Sequence, residues 1–136
     1  MPSDQSAAPV SQTALWTGRI LSGVVALFLS WGGVMDLVRP AFVLEGMIKA
    51  GYPESSLFGI GIALLISVVL YVAPPTSVLG AILLTGYLGG AVSTHVRAGD
   101  PLGRMLFPVL FAILIWGALY LRDSRLRALV PLRRSA

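Results

Sequence analysis

The sequence predicts an all-α integral membrane four-helix bundle with a short interfacial helix between spans one and two. Three observations predict it. The 136 residues are 56% hydrophobic and only 12% charged, with a mean hydropathy of +0.84, whereas a soluble domain carries about 25% charged residues. The apolar residues gather into four runs close to the roughly 17–25 residues that cross a bilayer. Proline, glycine and charged residues separate those runs, where helices end.

Residues 1–13 are polar, contain Asp4 and lack a basic leading segment. They read as a disordered tail rather than a cleavable signal peptide. Residues 14–122 form the four-span domain and 123–136 a basic tail. Span one is expected at about 15–38, where Arg39-Pro40 stops it, because proline cannot continue a helix. AFVLEGMIKAGYPES follows, with Phe42, Val43, Leu44, Met47 and Ile48 apolar and Glu45 four residues before Lys49. That pattern suits a short helix lying at the interface, its i,i+4 ion pair in the favourable order. Span two is expected at 57–73, closed by Pro74-Pro75, and span three at 76–96. Span four is expected at 101–121, with Asp100 as N-cap and Pro101 at the first helical position. Pro108 falls inside it and should kink the helix or free a carbonyl just below Arg104.

In lipid, helices associate through close backbone packing more than through the hydrophobic effect. Span three carries small residues at Ser77, Ala81, Thr85, Gly89 and Ser93, beside a GxxxG of Gly86 and Gly90. These residues predict its packing face, with span three central in the bundle, or else a homodimer interface. Gly59, Ala63 and Ser67 repeat the pattern on span two, and Gly32-Gly33 offer a close approach on span one. Trp16 and Tyr120 fit an interfacial belt, and Trp31 and Trp116 fall deeper as packing residues.

Four spans put both chain ends on one side. That side receives Arg19, Arg122, Arg125, Arg127, Arg133 and Arg134, and the other receives Arg39, Lys49, Arg97 and Arg104. The bias favours both termini in the cytoplasm of a bacterial inner membrane. The net charge of +4 is then accounted for by topology and by anionic lipid, not by nucleic acid. Zero cysteines and one histidine exclude disulfides, iron–sulfur clusters, Cys-ligated zinc and a tri-His metal site. No Walker loop or Rossmann pattern is present, and GYLGGAV lies within an apolar run. The middle of the spans has no Asp, Glu, Lys or Arg, which argues against a proton-coupled exporter.

The polar residues outside the tail converge at one end. Asp36 closes span one there, His95 and Arg97 close span three, and Asp100 and Arg104 open span four. Each also has a purely structural account, as a helix-dipole partner, a cap or a snorkelling side chain. Asp36 resists that account best, since an acidic residue within the membrane boundary is costly. These five residues are the candidate ligand site, suited to the polar head of a hydrophobic molecule such as a quinone. No catalytic residue is assigned, and none of these residues forms a metal site.

Several stretches together resemble the DoxX-like family of small four-span bacterial membrane proteins. They are GYP after the connector, LGAILLTGYLGGAVSTHVR on span three and WGALYLRDSRLRALVP on span four. The resemblance implies a four-helix integral membrane protein. The family's name comes from a small subunit associated with a membrane thiosulfate:quinone oxidoreductase, and it carries no catalytic set onto this chain. The resulting expectation is a quinone- or lipid-interacting accessory subunit with an oxidoreductase partner and no autonomous catalytic centre. The alternatives are a small transporter for a hydrophobic solute and a structural scaffold.

Overall fold

The structure, a computed structural model, describes residues 9–130. Its α-helices are α1 (Gln12–Val38), α2 (Ala41–Lys49), α3 (Ser56–Val72), α4 (Ser77–Ala98), α5 (Leu102–Arg122) and α6 (Ser124–Leu129). A single 3-10 turn, Pro74–Thr76, joins α3 to α4. A helix stands at each of the four expected spans, with ends shifted by at most three residues. Residues 12 and 13, expected in the tail, belong to α1, because the Ser11 hydroxyl accepts the Ala14 N–H at 3.2 Å and caps the helix early. The first eight residues of the tail, like Arg133 and Arg134, lie outside the described residues. The basic tail is helical over α6, where Asp123 Oδ1 accepts the N–H groups of Arg125 and Leu126. Helix α5 runs uninterrupted through Pro108, which is buried.

The four long helices form a ring in the order α1, α3, α4, α5, with α1 closing against α5 and standing diagonally across from α4. Helices α1, α4 with its 3-10 turn, and α5 are each long and apolar enough to cross a membrane. Helix α3, at 17 residues, spans about 25 Å at 1.5 Å per residue, the short end of the crossing range. The core is filled by Val25, Leu29, Leu64, Val68, Leu84, Leu88, Ile115 and Leu119. The outer surface is equally apolar: Ile20, Leu27, Trp31, Ile66, Ile82 and Ile113 all face outward. An outer face dominated by apolar side chains, with its charged residues near the helix ends, is what a hydrocarbon solvent selects. This is a membrane protein.

Backbones meet closely at three points, each marked by a glycine. A Cβ on Gly33 would lie 2.8 Å from Leu65 Cγ, and one on Gly61 would lie 2.9 Å from the Gly33 carbonyl, which fixes the α1–α3 crossing. A Cβ on Gly18 would lie 2.7 Å from the Ala118 carbonyl, which fixes α1 on α5. A Cβ on Gly80 would overlap the backbone N and Cα of Tyr71 at the α3–α4 turn.

These contacts correct part of the packing expected of span three: Ser77 and Ala81 of its small-residue ridge are buried in the bundle, but the rest is not. Gly86, Gly89, Gly90 and Ser93 lie on the exposed side of α4, and a Cβ on any of the three glycines would meet nothing within 4 Å. Gly59 is likewise open, while Gly33 makes the approach expected of it. Span three is one side of the ring rather than its centre. The reason is volume: four helices around one axis leave a lumen that Leu84, Leu88 and Tyr71 fill, and a small-residue face turned inward would leave voids. Trp31, expected as a packing residue, faces outward. Trp116 does pack, donating its indole N–H to Thr85 Oγ1 at 2.8 Å.

One buried polar cluster pins three helices. The Tyr71 hydroxyl, fully buried, donates to the Ile115 carbonyl at 3.0 Å and accepts from Ser22 Oγ at 3.1 Å. The hydroxyl has a single proton, so with Ile115 as its acceptor the serine is the donor. The network joins α1, α3 and α5.

Candidate functional site

The site forms where α2 and the α4–α5 turn meet the end of α1. Arg39 closes α1 in the left-handed conformation (φ 55°), its N–H bonded to the Met35 carbonyl at 2.8 Å. The chain then turns through Pro40 into α2, which crosses the mouth of the ring and touches α4. Gly51, at φ +82°, turns it back toward α3.

The α4–α5 turn is equally tight. Gly99 takes φ +69°, its N–H bonds the Val96 carbonyl at 3.1 Å, and the Asp100 N–H reaches the His95 carbonyl at 3.0 Å. This paired pattern is the usual glycine-terminated helix end. It folds Asp100 back beneath the last turn of α4. There Asp100 Oδ2 accepts from His95 Nδ1 at 2.8 Å, and Oδ1 lies 3.6 Å from Lys49 Nζ and 3.5 Å from Arg104 Nη1. Asp100 is therefore not the cap of span four: its carboxyl bonds no α5 N–H, and Pro101 holds the capping position. It is a charge hub joining α2, α4 and α5. Its side chain is only 11% exposed, covered by partners that are themselves more open.

The electrostatics follow from that geometry. The hydrogen bond from His95 holds the Asp100 carboxyl below its usual value of 3.8, partial burial opposes this, and the charges of Lys49 and Arg104 add to the lowering. A carboxylate only accepts, so Nδ1 carries the shared proton. In the neutral ring Nε2 is then left as an acceptor.

The ion pair expected along the chain is not the one formed. Lys49 reaches Asp100 instead of Glu45, and Arg39 lies 3.7 Å from Glu54. The turns at both ends of α2 redirect these side chains across the bundle mouth, and a pair local to one helix is worth only about 0.2–0.5 kcal/mol.

A cavity of about 450 Å³ opens beneath α2, within the 300–1,000 Å³ range of small-molecule sites. Phe42, Val43 and Met47 roof it, Ile60 and Ala91 wall it, and Asp36, Tyr52, Tyr87, Thr94, His95, Asp100 and Arg104 supply its polar groups. Four of the five expected site residues thus share one cavity. The fifth, Arg97, does not line it; its guanidinium sits 5.4 Å above the Tyr52 ring, behind the wall. No hydrogen bond or ion pair reaches the Asp36 carboxyl among the described residues. Beside it, Gly61 has no side chain, and α3 comes close against the Asp36 Cβ.

Sequence reasoning missed Tyr52, Tyr87, Thr94 and the α2 roof. The signal for Tyr87 was present: Tyr87, Ala91 and His95 repeat every fourth residue and share one stripe of α4. The stripe of His95 lies on the inward side of the helix, together with Leu84 and Leu88.

A model of the DoxX-like family matches residues 20–118, about three-quarters of the chain. The chain belongs to the DoxX-like family. Comparison with curated proteins and with solved structures gave no match. In this DoxX-like chain the matched segment runs from the first helix to the last turns of α5, so every residue lining the cavity falls inside it.

Proposed function

We propose that the cavity beneath α2 binds the head of a hydrophobic membrane molecule of the quinone class, and that the protein is a binding subunit without its own catalytic centre. The observation that carries this reading is the composition of one cavity. Its walls and roof are apolar, while hydroxyl, imidazole and guanidinium groups converge at its polar side. A quinone ring needs apolar faces and donors for its carbonyl oxygens; Tyr52, Tyr87 and Arg104 are donors of that kind. The opening beneath α2 would give such a head entry from the lipid side. A partner subunit would then perform the redox step.

The charge distribution supports both chain ends facing the cytoplasm of a bacterial inner membrane. Arg19, Arg122, Arg125 and Arg127 gather at the end bearing the termini, while at the other end Asp100 offsets part of the charge of Lys49 and Arg104.

The test is gentle extraction followed by mass spectrometry of co-purified small molecules, with quinone binding measured in nanodiscs. Wild-type protein is expected to retain a quinone, and Asp36→Asn and His95→Ala to lose it. Equal quinone retention by both variants would remove the basis of the reading. Flux of a hydrophobic solute in proteoliposomes, with no quinone retained, would favour the transporter alternative.

A further inference from the structure

The opposite end of the ring carries a second concavity, of about 280 Å³, and its chemistry differs from that of the first. Arg19 from α1, Arg122 from the end of α5 and Arg125 from α6 all line it, with Pro74 and Ser77 on the far side. Gly18 brings these arginines together. Its missing side chain lets the last turn of α5 lie against α1, with Arg122 Cβ 3.0 Å from where a Cβ would stand. Arg19 therefore stands beside Arg122 although the two are far apart in sequence.

Three guanidinium groups there face a single carboxylate. Asp123 is the one acidic residue lining the concavity, and its Oδ1 already accepts the N–H groups that start α6. No ion pair involves Arg19, Arg122 or Arg125 among the described residues. Arg122 spends Nη2 on the Tyr71 carbonyl at 2.9 Å and lays its guanidinium 5.1 Å over the Tyr71 ring. Its Nε is buried without any hydrogen-bond partner, a donor left unpaired where pairing is the rule. The first turn of α4 adds its share: it begins at Ser77 in the same concavity, and no side chain caps it. A helix N-terminus and converging guanidinium groups both favour a tetrahedral oxyanion.

We propose that this concavity is a phosphate-binding site, and that its ligand in the membrane is the phosphate of an anionic lipid headgroup. Trp16 stacks with Arg19 at 5.5 Å, and Arg127 stacks with Tyr120 at the same distance. Aromatic rings paired with cations at the bundle end put the concavity at headgroup depth. A zwitterionic headgroup fits less well, because its ammonium would have to share the site with three arginines.

The experiment compares lipid retention by the full chain released from nanodiscs containing equal parts of phosphatidylglycerol and phosphatidylcholine, read by native mass spectrometry. Wild-type protein keeps phosphatidylglycerol preferentially. Arg19→Gln with Arg125→Gln, which spares the structural bond of Arg122, cuts that preference about 30-fold, or about fivefold for each guanidinium removed. Arg39→Gln, which removes one charge at the other end, leaves it unchanged. A second arm titrates inorganic phosphate against thermal stability in detergent. Stabilisation that the double variant abolishes, with no lipid preference, makes the ligand a soluble phosphate. A lipid preference that survives the double variant, or a wild-type protein that responds to neither probe, overturns the proposal.

Discussion

Replacing Gly80 by alanine tests the packing of the ring at its tightest point. The added methyl overlaps the backbone N and Cα of Tyr71 and stands 2.7 Å from the carbonyl carbon of Leu70. These are backbone atoms, so no rotamer change relieves the clash and α4 must move away from the end of α3. Overpacking of this kind costs about 1–3 kcal/mol, and a rigid neighbour takes it to the upper value. Alanine returns about 1 kcal/mol of helix propensity. Moving Tyr71 also loosens its buried hydrogen bonds to Ser22 and Ile115, at about 1 kcal/mol. The net loss is about 2–3 kcal/mol. Heating the purified protein in detergent and following the monodisperse fraction should show a midpoint about 10 °C lower. Gly86→Ala, one and a half turns along the same helix, meets nothing within 4 Å and should leave the midpoint unchanged or slightly higher. If Gly86→Ala were the more damaging of the two, the inward face of α4 would have been assigned the wrong way round.

Three further outcomes are expected. Tyr71→Phe removes the shared hydroxyl between α1 and α5 and should cost about 1 kcal/mol, since Ser22 can turn to a helix carbonyl; a thermal midpoint equal to that of the wild type would show the network to be idle. Asp100→Asn leaves Lys49 and Arg104 without their counter-charge and frees the His95 ring, so ligand retention in the cavity should fall while the bundle stays folded by circular dichroism. Because the Asp100 carboxyl is held below its usual 3.8, its contribution is complete above about pH 4 and is lost as pH falls through the lowered value. Hydrogen exchange at Gly99 and Asp100 should therefore be steady from pH 5 to 8, after correction for intrinsic rates, and rise only in stronger acid, a rise that Asp100→Asn abolishes.

The membrane architecture was legible because its cause is compositional. Four apolar runs punctuated by Arg39-Pro40, Pro74-Pro75 and Gly99 can hardly fold any other way in lipid. The convergence of Asp36, His95, Asp100 and Arg104 was legible too, since an even number of crossings dictates which helix ends meet. The orientation of α4 was not. Both of its faces are apolar enough for lipid, so periodicity showed two stripes without saying which one looks inward. Gly86 and Gly90 permit close approach but do not compel it, whereas Gly80, which lacks any motif around it, sits where Tyr71 leaves no space. The expected ion pair failed for a related reason. Local spacing linked Glu45 to Lys49, but the turns at Gly51 and Gly99 bring Lys49 to Asp100 instead, and Arg39 turns to Glu54.

The ring has a seam, and it lies between the first helix and the last long one. Each other neighbouring pair follows directly along the chain or is bridged by α2, but α1 meets α5 across nearly the whole sequence, at Gly18 and where Phe28 packs on Phe107 and Phe111. During synthesis the first three spans can enter the membrane and pair in sequence. Until α5 arrives, the Tyr71 hydroxyl lacks the Ile115 carbonyl and the groove over Gly18 stays open to lipid. The fold is thus completed by its final span, and a chain cut before residue 102 would be left with the Tyr71–Ile115 bond and the close approach at Gly18 unmade.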